Sequence, residues 1–134
     1  MRKVVDLFAG CGGLSLGFQN AGYEIVGAYE LWDKAATTYE VNFNHPAYRE
    51  DLSDVASATK RIQALNPDVI IGGPPCQDFS HAGKRVEDRR AALTEAFAEI
   101  VTAVSPRWFV MENVDRAQKI ASYATARDIL KSAG

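Results

Sequence analysis

The sequence predicts an α/β protein, in which helices cover both faces of a doubly wound, mainly parallel sheet. Two observations support this prediction. Short β-branched or aromatic runs alternate with longer stretches of helical spacing, and no repeat, low-complexity tract or linker interrupts the alternation. The 134 residues, 47% hydrophobic and 24% charged, also suit one compact domain, which we expect to span residues 1–134.

The strands are expected at the short apolar runs. Four runs are clear and a fifth is weaker; they cover 3–8, 24–29, 68–73, 108–113 and, as the weak one, 47–50. Helices are expected between them, over 14–21, 33–42, 54–65 and 90–104. Asp33 and Asp54 are candidate N-caps, and Pro67 and Pro106 each stop a helix just before a strand.

Charge and cysteine content limit the class of protein. Fifteen basic and seventeen acidic residues give a net charge of −2, which argues mildly against a stand-alone nucleic-acid clamp. No apolar run is long enough to span a bilayer and the N-terminus lacks a secretion signal, so we expect a soluble, cytoplasmic protein without a membrane partner. Cys11 and Cys76 lie far apart and are not spaced for zinc, so no metal site is expected.

A glycine-rich segment, DLFAGCGGLSLGF, leads from the first strand into the first helix. Gly10, Gly12 and Gly13 lack a Cβ and so allow the backbone to approach a ligand, although such glycines also occur in simple tight turns. Glu30 ends the second strand roughly 20 residues later, where an acidic side chain of this architecture binds ribose hydroxyls. The spacing departs from G-x-G-x-x-G, which favours adenosine with a non-phosphate tail over a pyrophosphate.

Asp51 and Leu52 follow the weak strand. The Asp51 carboxylate could meet an adenine amino group while Leu52 packs on the ring; a solvated turn aspartate is the alternative.

Cys76 follows the fourth strand, in the run GGPPCQDFS. A thiol on a loop at the carboxyl edge of the sheet indicates a nucleophile, although cysteine is more often buried and inert. The polar stretch 77–90 is basic, which favours a loop that closes on substrate and contacts phosphates. Glu112, at the end of the fifth strand, could exchange a proton with a ring nitrogen if burial raises its pKa; otherwise it begins a helix and complements its dipole.

Together, DLFAGCGGLSLGF, GGPPCQDFS and MENV resemble, in order and spacing, the first, fourth and sixth motifs of the C5-cytosine methyltransferase family. The resemblance extends from Lys3 to about Ser132. It implies a sheet of the S-adenosylmethionine-dependent methyltransferase (Rossmann-like) type, truncated after about the fifth strand. It also implies a DNA (cytosine-5-)-methyltransferase that uses S-adenosylmethionine on double-stranded DNA, a chemistry typical of restriction-modification systems.

The resemblance assigns roles to individual positions. Cys76 would add to C6 of a flipped cytosine while Glu112 holds N3 and the amino group. The positions implied for cofactor binding are Phe8, Gly10, Cys11, Gly12, Gly13, Glu30, Leu31, Trp32, Asp51, Leu52, Pro75 and Leu93. Those implied for substrate binding are Gln77, Ser80, Lys84, Arg85 and Asn113.

The match to the family is incomplete. Asp78 replaces the small residue common two positions after the nucleophile. The chain stops before the family's arginine motif, its target-recognition domain and the C-terminal part that closes the cofactor pocket. We therefore expect a partial catalytic domain, either a fragment or one subunit of a split enzyme that a second chain completes. The alternatives are a tRNA cytosine-5 methyltransferase and a non-catalytic nucleotide-binding module.

Overall fold

A computed structural model of the chain describes residues 1–75, 84–119 and 121–134. The strands of this part are β1 (Lys3–Leu7), β2 (Glu24–Tyr29), β3 (Ala47–Tyr48), β4 (Val69–Gly72) and β5 (Trp108–Met111). The helices are α1 (Gly13–Asn20), α2 (Asp33–Asn42), α3 (Val55–Leu65), α4 (Lys84–Val104) and α5 (Ala121–Ser132), with a 3₁₀ helix at Asp115–Lys119.

The strands form one parallel sheet in the order β3-β2-β1-β4-β5. The order reverses between β1 and β4, so the sheet is doubly wound and the predicted fold class is confirmed. In such a sheet, ligands bind at the carboxyl ends of the strands, beside the reversal. The weak strand predicted at 47–50 forms only at 47–48.

Each face of the sheet has its own apolar core. Val5, Leu7 and Ile70 pack with Ile62 of α3 and Phe97 of α4 on one face. The opposite face carries two smaller clusters, one with the partly buried side chains of α1 and one with α2. Because β1 and β4 are covered on both faces, their residues are buried almost without interruption, as expected for central parallel strands.

The helix ends agree with the sequence in part. Asp54 caps α3 by accepting a hydrogen bond from the Ser57 amide at 3.2 Å, as predicted. The prediction for Asp33 is wrong, since α2 begins at Asp33 itself and has no side-chain cap. The Asp33 carboxylate instead pairs with Arg49 at 2.7 Å.

Left-handed residues followed by proline end α3 and α4. Asn66 has φ +48° and Ser105 has φ +55°, and Pro67 and Pro106 come next. The predicted stops before β4 and β5 are therefore confirmed.

Two helical regions differ from the prediction. The stretch predicted as a polar loop over 77–90 is helical from Lys84 onwards, because its charged residues favour a helix without forming an apolar stripe. Helix α5 was not predicted, since the residues it buries are small, Ser122 and Ala126, and give no strong periodic signal.

Strand β5 is an edge strand with exposed apolar side chains. Trp108 is 65% exposed, Phe109 42% and Val110 41%, although they follow one another and so point to alternate faces. Within the described ranges, no helix has the length and apolar character needed to cross a membrane.

Candidate functional site

A cleft of about 630 Å³ opens at the carboxyl ends of β1, β2 and β4. Its size falls within the range of small-molecule and cofactor pockets. Its wall combines apolar side chains with carboxylates and is formed by Phe8, Gly10, Tyr29, Glu30, Leu31, Trp32, Glu50, Asp51, Leu52, Gly73, Pro75 and Leu93.

Residues 8–13, here called the glycine turn, form one end of this cleft. Phe8, Gly10 and Gly12 have φ of +58°, +57° and +97°. A left-handed conformation is costly for phenylalanine, on the order of 1 kcal/mol, and such strained residues cluster at functional sites. The turn is closed by a hydrogen bond from the Gly12 amide to the Ala9 carbonyl at 3.0 Å.

Glu30 is fixed in the cleft by two backbone amides. One carboxylate oxygen accepts a hydrogen bond from the Gly10 amide at 2.8 Å, and the other accepts one from the Trp32 amide at 2.8 Å. Each oxygen keeps a second lone pair with which it can accept a hydroxyl hydrogen. The contact also joins the end of β2 to the glycine turn, two segments that the sequence predicted to share one ligand.

An apolar rim follows Glu30. Leu31 is 55% exposed and Trp32 is 65% exposed, and both line the cleft. Large exposed apolar side chains beside a cleft are typical of a binding surface. Across from them, Leu52 is 3% exposed, so it presents only an edge to the cleft, while Asp51 accepts a hydrogen bond from the Ser53 amide at 3.0 Å.

Glu112 and Asn113 lie beside the segment that follows β4. The Glu112 amide donates to the Gly72 carbonyl at 2.9 Å, and the Glu112 carboxylate lies 3.2 Å from where a Cβ on Gly73 would stand. The Asn113 side chain donates to the Pro74 carbonyl at 3.3 Å and accepts from the Val114 amide at 2.8 Å. The Asn113 amide group therefore ties the end of β5 to the segment before Cys76.

The burial that the general-acid hypothesis requires of Glu112 is not found in this structure, where the Glu112 side chain is exposed.

Several predicted site residues lie outside the described part of the chain. These are Cys76, Gln77, Asp78 and Ser80; Lys84 and Arg85 belong to the first turn of α4, and their side chains are not described. Pro75 does line the cleft and directly precedes Cys76.

The remaining predicted positions divide into two groups. Most positions implied for cofactor binding lie on the cleft wall. Three do not: Cys11, Gly12 and Gly13. Within the glycine turn, Cys11 and Gly13 are exposed and Gly12 is buried. Sequence reasoning missed the cleft residues Tyr29, Glu50 and Gly73, although each adjoins or lies close to a position that it did select.

Sequence reasoning also missed a buried polar cluster under the glycine turn. Asp6 is 0% exposed, and its carboxylate accepts a hydrogen bond from the Ser15 hydroxyl at 2.7 Å. Burial raises the pKa of Asp6 from 3.8 to about 7, the hydroxyl and amide of Ser15 lower it, and the negative charge of Glu30 raises it. The sequence did contain a signal for this cluster, since Asp6 is a charged residue within the apolar part of β1.

Known proteins resemble this chain over most of its length. Residues 2–133 match the family model described as C-5 cytosine-specific DNA methylase. The type II methyltransferase M.HindV of Haemophilus influenzae is 56% identical over 118 residues, which are 87% of this chain and 39% of that protein. The type II methyltransferase M.HgiGI of Herpetosiphon aurantiacus is 56% identical over 117 residues, 87% of this chain and 93% of that protein.

A solved structure shows the same fold. It is described as a DNA modification methyltransferase encoded within an Escherichia coli prophage, and it superposes with a TM-score of 0.81 at 33% identity, over 99% of this chain and 37% of that one. The chain thus spans well under half of this protein and of the Haemophilus relative. Since the family model covers nearly every residue, the chain belongs to the C-5 cytosine-specific DNA methylase family.

Proposed function

We propose that the protein transfers a methyl group from S-adenosylmethionine to C5 of a cytosine in double-stranded DNA, as part of a restriction-modification system. One observation carries the proposal: Pro75 lines the cleft that Glu30 and the glycine turn form, and Cys76 follows it directly. The cysteine is therefore the next residue in the sequence after the wall of a cofactor-sized cleft. Family membership and type II relatives support the same reaction.

The cleft residues fit S-adenosylmethionine, the cofactor of the family. Glu30 is held with free lone pairs, which suits the two ribose hydroxyls. Leu31 and Trp32 offer apolar surface to an adenine ring, and Asp51 offers an acceptor to its amino group. The glycine turn leaves space for the methionine part, since a Cβ on Gly10, which lines the cleft, would meet no atom within 4 Å. When bound, the cofactor supplies an electrophilic methyl group.

Cys76 and Glu112 would prepare the cytosine. The Cys76 thiolate adds to C6, and Glu112 binds N3 and the amino group, so that electron density moves to C5. After C5 is methylated, loss of the C5 proton restores the double bond and expels the thiolate. The base has to leave the duplex for the thiol to reach C6. The contacts of Glu112 with the segment before Cys76 support this pairing of roles.

A 5-fluorocytosine duplex tests the mechanism, because fluorine at C5 cannot leave as a proton. The complete protein, incubated with S-adenosylmethionine and this duplex, should form a covalent adduct that maps to the peptide containing Cys76 and not to the exposed Cys11. Cys76→Ser should form none. An adduct on another residue, or methylation by Cys76→Ser, would overturn the mechanism. Methylation of tRNA in place of duplex DNA would overturn the assignment of duplex DNA as the substrate.

We also propose that full activity requires polypeptide beyond these residues, in the same chain or in a second subunit. The relatives that exceed this chain in length and the exposed edge at β5 support this. We expect residues 1–134 alone to bind cofactor weakly and to methylate DNA poorly. Full sequence-specific methylation by these residues alone would contradict this expectation.

A further inference from the structure

A continuous chain of hydrogen-bonded side chains runs beneath the glycine turn. The Ser15 hydroxyl donates to Asp6, the Tyr39 hydroxyl lies 2.7 Å from the Ser15 oxygen, and His45 Nε2 lies 2.6 Å from the Tyr39 oxygen. Asp6, Ser15 and Tyr39 are each 0% exposed, and His45 is half-buried. We call Asp6, Ser15, Tyr39 and His45 the polar chain.

The polar chain is in direct contact with the glycine turn. A Cβ added to Gly12 would lie 2.9 Å from the Tyr39 ring and 2.3 Å from the Phe43 ring, so both rings pack closely on Gly12. These rings stack on each other at 4.3 Å. Ser15 belongs to the first turn of α1, which begins directly after Gly12. Any movement of Tyr39 or Ser15 would therefore be transmitted to the turn.

We propose that Ser15 and Tyr39 are positioning residues that hold the glycine turn in its cofactor-binding shape through the polar chain. The turn benefits from such support because its left-handed Phe8 is strained. The polar chain adds to the hydrogen bonds that Gly10 makes with Glu30 and Gly12 makes with Ala9. The part of this inference that concerns the cofactor rests on the proposed function. The part that concerns the shape of the turn does not.

The polar chain can hold its members whether Asp6 is ionised or protonated. With Asp6 ionised, His45 Nε2–H donates to Tyr39, Tyr39 to Ser15, and Ser15 to Asp6. With a proton on the Asp6 oxygen that faces Ser15, every hydrogen bond reverses. Asp6 then donates to Ser15, Ser15 to Tyr39, and Tyr39 to a neutral His45. Each hydroxyl donates one bond and accepts one in both states. Glu30, at the end of β2, is the negative charge that acts on Asp6.

Tyr39→Phe tests the proposal, because it removes the hydroxyl and keeps the ring on Gly12. Tyr23→Phe is the matched control: Tyr23 is half-buried against Phe18, away from the turn. In the ligand-free protein, we expect Tyr39→Phe to speed amide hydrogen exchange at Gly12 about tenfold, the usual effect of losing one buried hydrogen bond. We expect a similar loss of affinity for S-adenosylhomocysteine by calorimetry. The control should change neither.

A spectroscopic readout separates positioning from general stability. The His45 ring resonances should shift when Asp6 titrates in the unsubstituted protein, and this coupling should disappear in Tyr39→Phe. If Tyr39→Phe lowers only the unfolding free energy, with unchanged Gly12 exchange, affinity and His45 titration, the proposal is wrong. If the unsubstituted protein binds no S-adenosylhomocysteine, the proposed function fails, and Gly12 exchange and His45 titration decide the positioning role.

Discussion

At the scale of single residues, Asp6 is a carboxyl group that is costly to bury. One carboxylate oxygen bonds to Ser15, and the other has no hydrogen-bond partner among the described residues. Since burial raises its pKa to about 7, the folded protein keeps a proton that the unfolded chain releases near pH 3.8. The stability that Asp6 contributes is therefore complete below about pH 4 and is lost as the pH rises through about 7.

We expect Asp6→Asn, which cannot ionise, to remove this dependence. Relative to the unsubstituted protein, its unfolding free energy should rise between about pH 4 and 7, by at most about 1.4 kcal/mol per pH unit. The lowered pKa of His45 makes the unfolding free energy rise with pH, but this effect is present in both Asp6→Asn and the unsubstituted protein. Urea unfolding across this range measures the difference, with Asp128→Asn, exposed on α5, as the control. Identical slopes in all three proteins would contradict the prediction.

The sequence predicted the positions of site residues that directly follow a strand. Glu30 follows β2 and Glu112 follows β5, and a parallel sheet brings such ends to one edge. The polar chain was not predictable in this way. Tyr39 reaches Ser15 only because the fold brings the Tyr39 side chain of α2 to the first turn of α1, and no spacing within the sequence encodes that distance.

At the scale of elements, helix α3 depends on Asp54 at its start. The Asp54 carboxylate accepts from the Ser57 amide, which otherwise lacks a partner within the helix. We expect Asp54→Ala to lower the unfolding free energy by about 0.5–2 kcal/mol. Asp54→Asn keeps an acceptor and should retain most of the stability. Equal losses in both variants, measured by urea unfolding, would assign the effect to charge and not to capping.

The elements were predictable where local signals agree. Strands β2 and β4 and helix α3 combine apolar runs, a cap and a proline stop, and they lie within one residue of their predicted bounds. The start of α4 and the whole of α5 were not predicted. Helix α5 packs on α4 through small residues, and such a contact depends on the tertiary partner more than on a hydrophobic pattern.

At the scale of the whole molecule, the order of the strands could not be predicted from the sequence alone. The alternation of strands and helices indicates the class of sheet, but it does not indicate which strands are neighbours. That order leaves β5 at an edge, with apolar side chains exposed on both faces. An exposed apolar edge strand is a template for pairing with another strand. In the proposed complete protein, the additional polypeptide would cover this edge; in residues 1–134 alone, a second copy can do so.

We therefore expect residues 1–134 to self-associate as their concentration rises, and a charge on β5 to oppose it. Val110→Lys places an ammonium group on the edge strand at a side chain that is 41% exposed. Val41→Lys, at an 81% exposed position on α2, makes the same change away from the edge. Sedimentation velocity should show less association for Val110→Lys only, with thermal unfolding confirming that both variants fold. If both variants associate like the unsubstituted chain, or if that chain stays monomeric, β5 is not the open surface, and the added polypeptide must bind elsewhere.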